Sequence, residues 1–154
     1  MKNENEKSIS VLNDLIQTCK DGENGFKTAS EHTNDVELKG LFQQYSAQRA
    51  ELATELQTRV RNLGESPEKA GSVSASLHRG WLDLKAAISS EEPHAVLAEC
   101  ERGEDVAVKA YREALDEYVD GATRELIRRQ YGLIQATHDR IKQLRDSVQY
   151  SARS

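Results

Sequence analysis

Apolar residues recur every three or four positions over four long segments of the chain, which is the spacing of amphipathic α-helices. The first two segments lie within residues 7–64 and are joined by a tight turn at Asn34-Asp35. The third and fourth lie within residues 91–149 and are separated by Asp120-Gly121. Short connections of this kind predict two helical hairpins.

Capping residues indicate where the helices begin and end. The first helix is predicted to begin at Lys7 or Ser8 and to end near Thr33. Ser90 is predicted to cap the third helix, which has acidic residues in its first turn. This third helix is predicted to end near Val119.

The two hairpins are connected by residues 65–90, a stretch too long for a hairpin turn. Its first part is small and polar and predicts a loop. A short amphipathic helix follows, with apolar positions at Leu77, Trp81, Leu84 and Ile88. Trp81 is expected to pack this helix onto the bundle. Ferritin-like bundles use one such long crossover, so we predict an all-α, ferritin-like four-helix bundle formed by a single domain over residues 1–154.

Polar residues occupy six positions on the predicted inner stripes where an apolar residue is expected. They are Glu23, Gln48, Glu51, Glu104, Gln135 and His138. Glu23 and Glu104 each follow a glycine and each lie four residues after a cysteine, so the two hairpins share a pattern. An ionised carboxylate in a core is costly without a partner. We therefore predict that these six side chains form one polar cluster.

The order of these residues matches that of di-iron and di-manganese bundles, which use one Glu from each of two helices and a Glu-x-x-His pair from each of the others. The pairs here are altered, because Gln48 and Gln135 stand where Glu is expected and Glu51 stands where His is expected. Glutamine is neutral and is a poor bridging ligand for a hard cation. A two-metal oxygen-activating site is therefore disfavoured.

Two interpretations of the cluster stay open. In the favoured one, Gln48 and Gln135 donate amide protons to the carboxylates, and a satisfied network needs no metal. In the other, one divalent ion (Fe, Mn or Zn) is bound. Its ligands would be Glu23, Glu51, Glu104 and His138.

Other polar and sulfur-containing residues near these stripes carry less information. Arg49 and Arg102 either reach outward or pair with an inner carboxylate, and the sequence leaves both arrangements open. Cys19 and Cys100 are expected to be small core residues. Antiparallel packing of the first and third helices would separate them by roughly 12 Å along the axis, whereas a disulfide needs Cα atoms within about 7 Å.

Composition narrows the functional classes. The 154 residues carry a net charge of −5, which argues against binding to nucleic acid. We expect no membrane segment, because no apolar run approaches the roughly 20 residues of a spanning helix. The polar N-terminus and the two cysteines predict a cytoplasmic protein in a reducing environment. The outer helical faces leave open assembly into a homo-oligomer.

Four stretches carry a resemblance to a known family. They are Lys20-Asp21-Gly22-Glu23-x-Gly25-Phe26, Leu77-His78-Arg79-Gly80-Trp81, Glu101-Arg102-Gly103-Glu104-Asp105 and His138-Asp139-x-Ile141. Over about residues 7–148 the chain resembles a bacterial domain-of-unknown-function family of ferritin-like four-helix-bundle proteins, distantly similar to rubrerythrin. The Gly-Glu pairs resemble rubrerythrin's first-ligand motifs, and Gln135-x-x-His138 resembles its last Glu-x-x-His. The resemblance implies a bacterial cytoplasmic protein linked to stress.

A bundle protein of unassigned activity is thus the leading functional prediction, with a core that is metal-free or binds metal weakly and no catalytic residues. The first alternative is a rubrerythrin-like, carboxylate-bridged enzyme of oxidative stress or iron handling with altered ligands. The second is a protein-interaction module that assembles through its outer helical faces.

Overall fold

A computed structural model describes residues 3–67 and 81–153, with side chains up to residue 147. Its helices are α1 (Glu4–His32), α2 (Val36–Asn62), α3 (Leu84–Ser89), α4 (Pro93–Leu115) and α5 (Gly121–Arg153). The four long helices pack in pairs, and the short α3 lies in the connection between α2 and α4. The predicted all-α four-helix bundle is confirmed. In the described part of the chain, no helix combines the length and apolarity required to cross a membrane.

The helices α1 and α4 join the two hairpins and run antiparallel. Near the start of α1, Ser8 Oγ accepts a hydrogen bond from the Asp120 backbone N–H just after α4, at 3.0 Å. Further along, Cys19 Sγ lies 3.1 Å from the Tyr111 hydroxyl. Since α1 is also antiparallel to α2 across a short turn, α2 and α4 run in the same direction. The chain between them must therefore cross the length of the bundle, as predicted.

The apolar core consists of two clusters, one towards each end of the bundle. One is built around residues such as Leu12, Leu56 and Ile127. The other is built around Phe26 and Phe42 and includes the start of α3. Arg49 of α2 and Glu104 of α4 lie between the two apolar clusters. The candidate site is therefore at the middle level of the bundle.

The start of α4 differs from the prediction. Glu92 is the N-cap and Pro93 is the first helical residue, whereas Ser90 ends α3. The Ser90 hydroxyl still accepts a hydrogen bond from the Glu92 backbone N–H at 3.2 Å. Proline is favoured at the first helical position, where its missing N–H costs nothing. Pro93 was thus the stronger start signal, and the prediction of Ser90 as the cap is wrong.

Other helix ends also differ from the predicted positions. Asn3 caps α1 by accepting the Glu6 backbone N–H at 2.8 Å, so this helix begins before Lys7. Helix α4 ends at Leu115 rather than near Val119, although Val119 is still buried in the connection to α5. Its burial explains why the apolar pattern continues beyond the end of the helix.

The crossover packs onto the bundle through Trp81, as predicted. The indole lies against α1 and α4 and meets the Phe26 ring edge-on, with ring centroids 5.1 Å apart. Helix α3 begins only at Leu84. The earlier part of the predicted crossover helix, including Leu77 and the stretch from His78 to Gly80, lies outside the described residues.

Asp120 ties three helices together at one end of the bundle. Its carboxylate accepts a hydrogen bond from Arg59 Nη2 of α2 at 2.6 Å and from the Thr123 backbone N–H of α5 at 3.2 Å. Burial raises the pKa of Asp120, but hydrogen bonds from Thr123, Ser8 and Arg59 outweigh it and lower the pKa from 3.8 to about 2. Ionised Asp120 therefore stabilises the folded chain.

Replacement of Asp120 by Asn is expected to lower the free energy of unfolding by about 2 kcal/mol near neutral pH. Because the folded-state pKa is depressed, the stabilisation is complete above pH 3.8 and is lost as the pH falls through about 2. The difference between the wild type and Asp120→Asn in urea unfolding should therefore shrink below pH 4. A difference that stays constant from pH 6 to pH 2.5 would contradict this assignment.

Candidate functional site

A buried ion pair joins α2 to α4 between the two apolar clusters. Arg49 Nη2 donates to Glu104 Oε2 at 2.5 Å. The two side chains are 1% and 0% exposed. Of the two arrangements that the sequence allows for Arg49, the structure shows the inward one, paired with Glu104. Arg102 instead is exposed and contacts Asp83 and Glu99.

Small and aromatic residues of α1 make room for the Arg49 side chain. Gly22 faces it so closely that an added Cβ would lie 3.0 Å from Arg49 Nη1. The guanidinium carbon lies 5.6 Å from the centre of the Phe26 ring, a cation–π distance. Gly22 precedes Glu23 in the repeated Gly-Glu pattern. Its missing side chain leaves the space that the Arg49 side chain occupies.

The charges of the pair depend on each other. Burial raises the pKa of Glu104, and the Arg49 charge and hydrogen bond offset part of that rise. Burial lowers the pKa of Arg49, but the Glu104 carboxylate more than compensates, so this pKa lies above its usual value. No described residue forms a hydrogen bond with Glu104 Oε1 or Arg49 Nε. Burying both charges costs desolvation free energy. Removing one partner would destabilise the folded chain further, because the other charge would be left buried and unpaired.

A second set of polar contacts crosses the bundle near the ion pair. The Tyr111 hydroxyl donates to Gln130 Oε1 at 2.7 Å, and Gln130 Nε2 donates to Glu55 Oε1 at 3.0 Å. Cys19 contacts the same hydroxyl, so the chain of contacts reaches all four long helices. Burial raises the pKa of Cys19 to about 11 and that of Cys100 well above its usual value. Both cysteines are buried, as predicted for core residues.

The structure does not bring together the four predicted metal ligands. Glu104 lies in the core, Glu23 and His138 are half-buried, and Glu51 is exposed. The inner position predicted for Glu51 is wrong, because the buried stripe of α2 runs through Arg49 instead. Among the described residues, these four do not form a group whose ligand atoms could hold one ion.

The two glutamines also have other partners than those predicted. Gln135 is exposed, not on the inner face, and its amide donates to the Tyr131 hydroxyl at 3.1 Å. Gln48 is half-buried and accepts a hydrogen bond from Thr137 Oγ1 at 3.2 Å. Neither amide donates to Glu104, whose hydrogen bond among the described residues comes from Arg49. The predicted network of amides and carboxylates is therefore replaced by a direct ion pair.

A different group of potential metal ligands lies along the contact between α4 and α5. It consists of Glu101, Asp105 and His138, which we call the seam site. One ligand atom from each lies within 4.8 Å of the other two. Glu101 is buried, His138 is half-buried and Asp105 is exposed, so the site opens to solvent on one side. Two carboxylates and one imidazole suit Mn, Fe or Zn.

His138 is held by carboxylates through both ring nitrogens. Nε2 lies 2.6 Å from Asp105 Oδ1 and Nδ1 lies 3.2 Å from Asp139 Oδ1. Burial lowers the pKa of His138, but the hydrogen bonds to Asp139 and Asp105 outweigh it and leave the pKa above its usual value. A carboxylate on one ring nitrogen is the usual companion of a histidine that binds metal through the other. The orientation of His138 therefore fits a ligand as well as an ion-pair partner.

A helical spacing could have revealed part of the seam site in the sequence. Glu101 and Asp105 are four residues apart and share one face of α4. They flank Glu104 in the sequence, and Glu104 is the residue that lies on the apolar stripe itself. The pattern predicts His138 as a site residue, but its contact with Asp105 depends on the register between α4 and α5, which the sequence does not contain.

Residues 7–117 match the family model described as "Domain of unknown function (DUF2383)". The match includes Arg49 and Glu104 of the ion pair and Glu101 and Asp105 of the seam site, but not α5 with His138. No curated protein matches the chain.

Proposed function

We propose that this chain, which belongs to the DUF2383 family, is a non-catalytic bundle protein that binds one divalent metal ion weakly at the seam site. The observation that carries the proposal is the convergence of Glu101, Asp105 and His138, whose ligand atoms lie within 4.8 Å of one another. Three protein ligands leave further coordination positions for water. Such a site, open on one side, is expected to bind and release its ion readily.

The core supports the same proposal, because its central carboxylate already has a cation. In a di-metal bundle the inner glutamates neutralise the ions, whereas here Arg49 neutralises Glu104. An ion placed beside Glu104 would meet the guanidinium at 2.5 Å from the same carboxylate. The donor set of the core therefore does not fit a di-metal centre. This weakens the alternative of a rubrerythrin-like metalloenzyme.

The remaining predictions from the family resemblance concern cellular context. A ferritin-like ancestry, a stress-linked role and a cytoplasmic location agree with a metal-binding bundle and stay predictions. Assembly into a homo-oligomer through the outer faces also stays a prediction.

Calorimetric titration with Zn²⁺, Mn²⁺ and, without oxygen, Fe²⁺ tests the proposed site. We expect one ion per wild-type chain and a loss of affinity of about tenfold or more in His138→Ala. His32→Ala is the matched control, because His32 is exposed at the end of α1, away from the site. Equal affinity in His138→Ala and the wild type, or no binding of any of the three ions, would refute the proposal.

A further inference from the structure

We propose that Arg145 is a built-in competitor for the seam site, and that a divalent ion must displace it from Glu101 to bind. This proposal rests on the proposed function and names how that site is regulated. Arg145 Nη1 lies 2.6 Å from Glu101 Oε2. The same guanidinium therefore occupies one of the three carboxylate and imidazole ligands that the ion would use.

Burial of Glu101 makes the competition direct. The Glu101 side chain is 10% exposed, so water solvates its charge poorly. Its Oε2 accepts no hydrogen bond of good geometry among the described residues, although Arg145 is within ion-pair distance. A buried carboxylate needs a cation. Arg145 supplies one when the metal is absent, and a divalent ion would supply a stronger one.

The two cations disfavour each other at Glu101. A guanidinium and a divalent ion a few ångströms apart repel each other strongly in a half-buried site. Arg145 is the group that can leave, because it is 30% exposed and its Nη2 already lies 3.2 Å from Asp146 Oδ1, whose side chain is 55% exposed. Release would move the arginine towards solvent near the end of α5. Metal binding would thereby change the charge presented by that part of the helix.

Competition of this kind weakens binding, because the ion can bind only those chains in which Glu101 is free of Arg145. The apparent dissociation constant equals the intrinsic one divided by that fraction of chains. Removal of the competitor should restore the intrinsic affinity. Arg145→Gln is therefore expected to bind Zn²⁺ or Mn²⁺ about tenfold more tightly than the wild type. Arg145→Gln combined with His138→Ala should lose this gain, because the ion would then lack its nitrogen ligand.

The matched control is Arg128→Gln, which removes an arginine from the same helix. Arg128 is exposed and pairs with Glu125 of α5, far along the helix from the seam site. Its replacement should leave metal affinity unchanged, which separates local competition from the general effect of lowering positive charge. Thermal unfolding in the presence of a chelator should show Arg145→Gln to be less stable than the wild type, with stability recovered on adding Zn²⁺.

The titrations distinguish the two proposals. Equal affinity in the wild type and Arg145→Gln would overturn the role of Arg145 and leave the metal site standing. Binding by Arg145→Gln alone would support the competition and refute metal binding by the native chain. Binding by neither would refute both.

A second measurement keeps the proposal testable if Arg145→Gln does not fold. The arginine Nε–H signals of the wild type are recorded by NMR during titration with Zn²⁺, and the Arg145 signal is identified by its absence in Arg145→Lys. We expect the Arg145 signal to move as Zn²⁺ saturates the chain. An Arg145 signal that stays unchanged at saturation would overturn the proposal.

Discussion

Replacement of Arg49 by Met is expected to lower the free energy of unfolding by about 3–5 kcal/mol. The substitution leaves the Glu104 carboxylate fully buried with no cation beside it, in a position 0% exposed to solvent. Desolvation already raises the pKa of Glu104 with Arg49 present. Without Arg49, the folded chain must keep an unpaired charge or bind a proton. Urea unfolding at neutral pH measures the loss.

The double variant Arg49→Met/Glu104→Leu is the control for this prediction. Replacing both partners of a buried ion pair by apolar residues of similar size is often neutral or stabilising. We therefore expect the double variant to recover most of the stability lost in Arg49→Met. A loss below 1 kcal/mol in Arg49→Met, or additive losses in the double variant, would show that the two side chains do not depend on each other.

Gly103→Ala is expected to displace Trp81 from its place between α1 and α4 and to destabilise the chain by about 2–3 kcal/mol. A Cβ at Gly103 would lie 2.3 Å from indole atom Cε2, and one at Gly25 would lie 2.3 Å from indole atoms Cδ2 and Cε3. The indole cannot accommodate this without moving. Since Trp81 is the chain's one tryptophan, its fluorescence should shift to longer wavelength as it becomes more exposed.

Gly132→Ala is the matched control for this substitution. Gly132 is an exposed helical glycine of α5, and an added Cβ there would meet no atom within 4 Å. This change should stabilise the chain by about 0.5–1 kcal/mol through helix propensity. Gly103→Ala receives the same benefit, so a net loss must come from Trp81. Unchanged fluorescence and a gain in stability in Gly103→Ala would contradict the proposed packing.

The sequence was sufficient to predict the fold because the apolar periodicity is local. Each long helix shows its buried stripe directly, and the Asn34-Asp35 and Asp120-Gly121 breaks separate the helices of each hairpin. The length of the connection then required a crossover. Trp81 was predicted to hold that crossover, and Gly25 and Gly103 explain how a large ring fits between two helices.

The site was predicted less well because the expected order of Glu-x-x-His pairs favoured Gln48 and Glu51 as the inner polar residues of α2. The buried positions Tyr45, Arg49 and Leu52 follow the helical spacing. Arg49 thus takes the inner position that the prediction gives to Gln48 and Glu51. Glu104 was correctly expected to lie inside and to need a partner. The identity of that partner depends on how the two hairpins pack together, which no local pattern contains.

The ion pair stabilises the core, whereas the proposed metal binding is confined to the seam site. Arg49 gives the core a fixed cation, so the inner carboxylate of α4 is joined to α2 across the bundle. The seam site lies one turn or less away along α4, with Glu101 and Asp105 on either side of Glu104 in the sequence. It faces α5 and opens to solvent on the side of Asp105.

The position of a bound metal ion tests this separation most directly. Crystals of the wild-type protein soaked in Mn²⁺ would be examined by anomalous diffraction, which locates the ion without reference to the protein coordinates. We predict one peak between Glu101, Asp105 and His138 and an unchanged Arg49–Glu104 contact. A peak beside Glu104 in the core, with Arg49 displaced, would contradict the account.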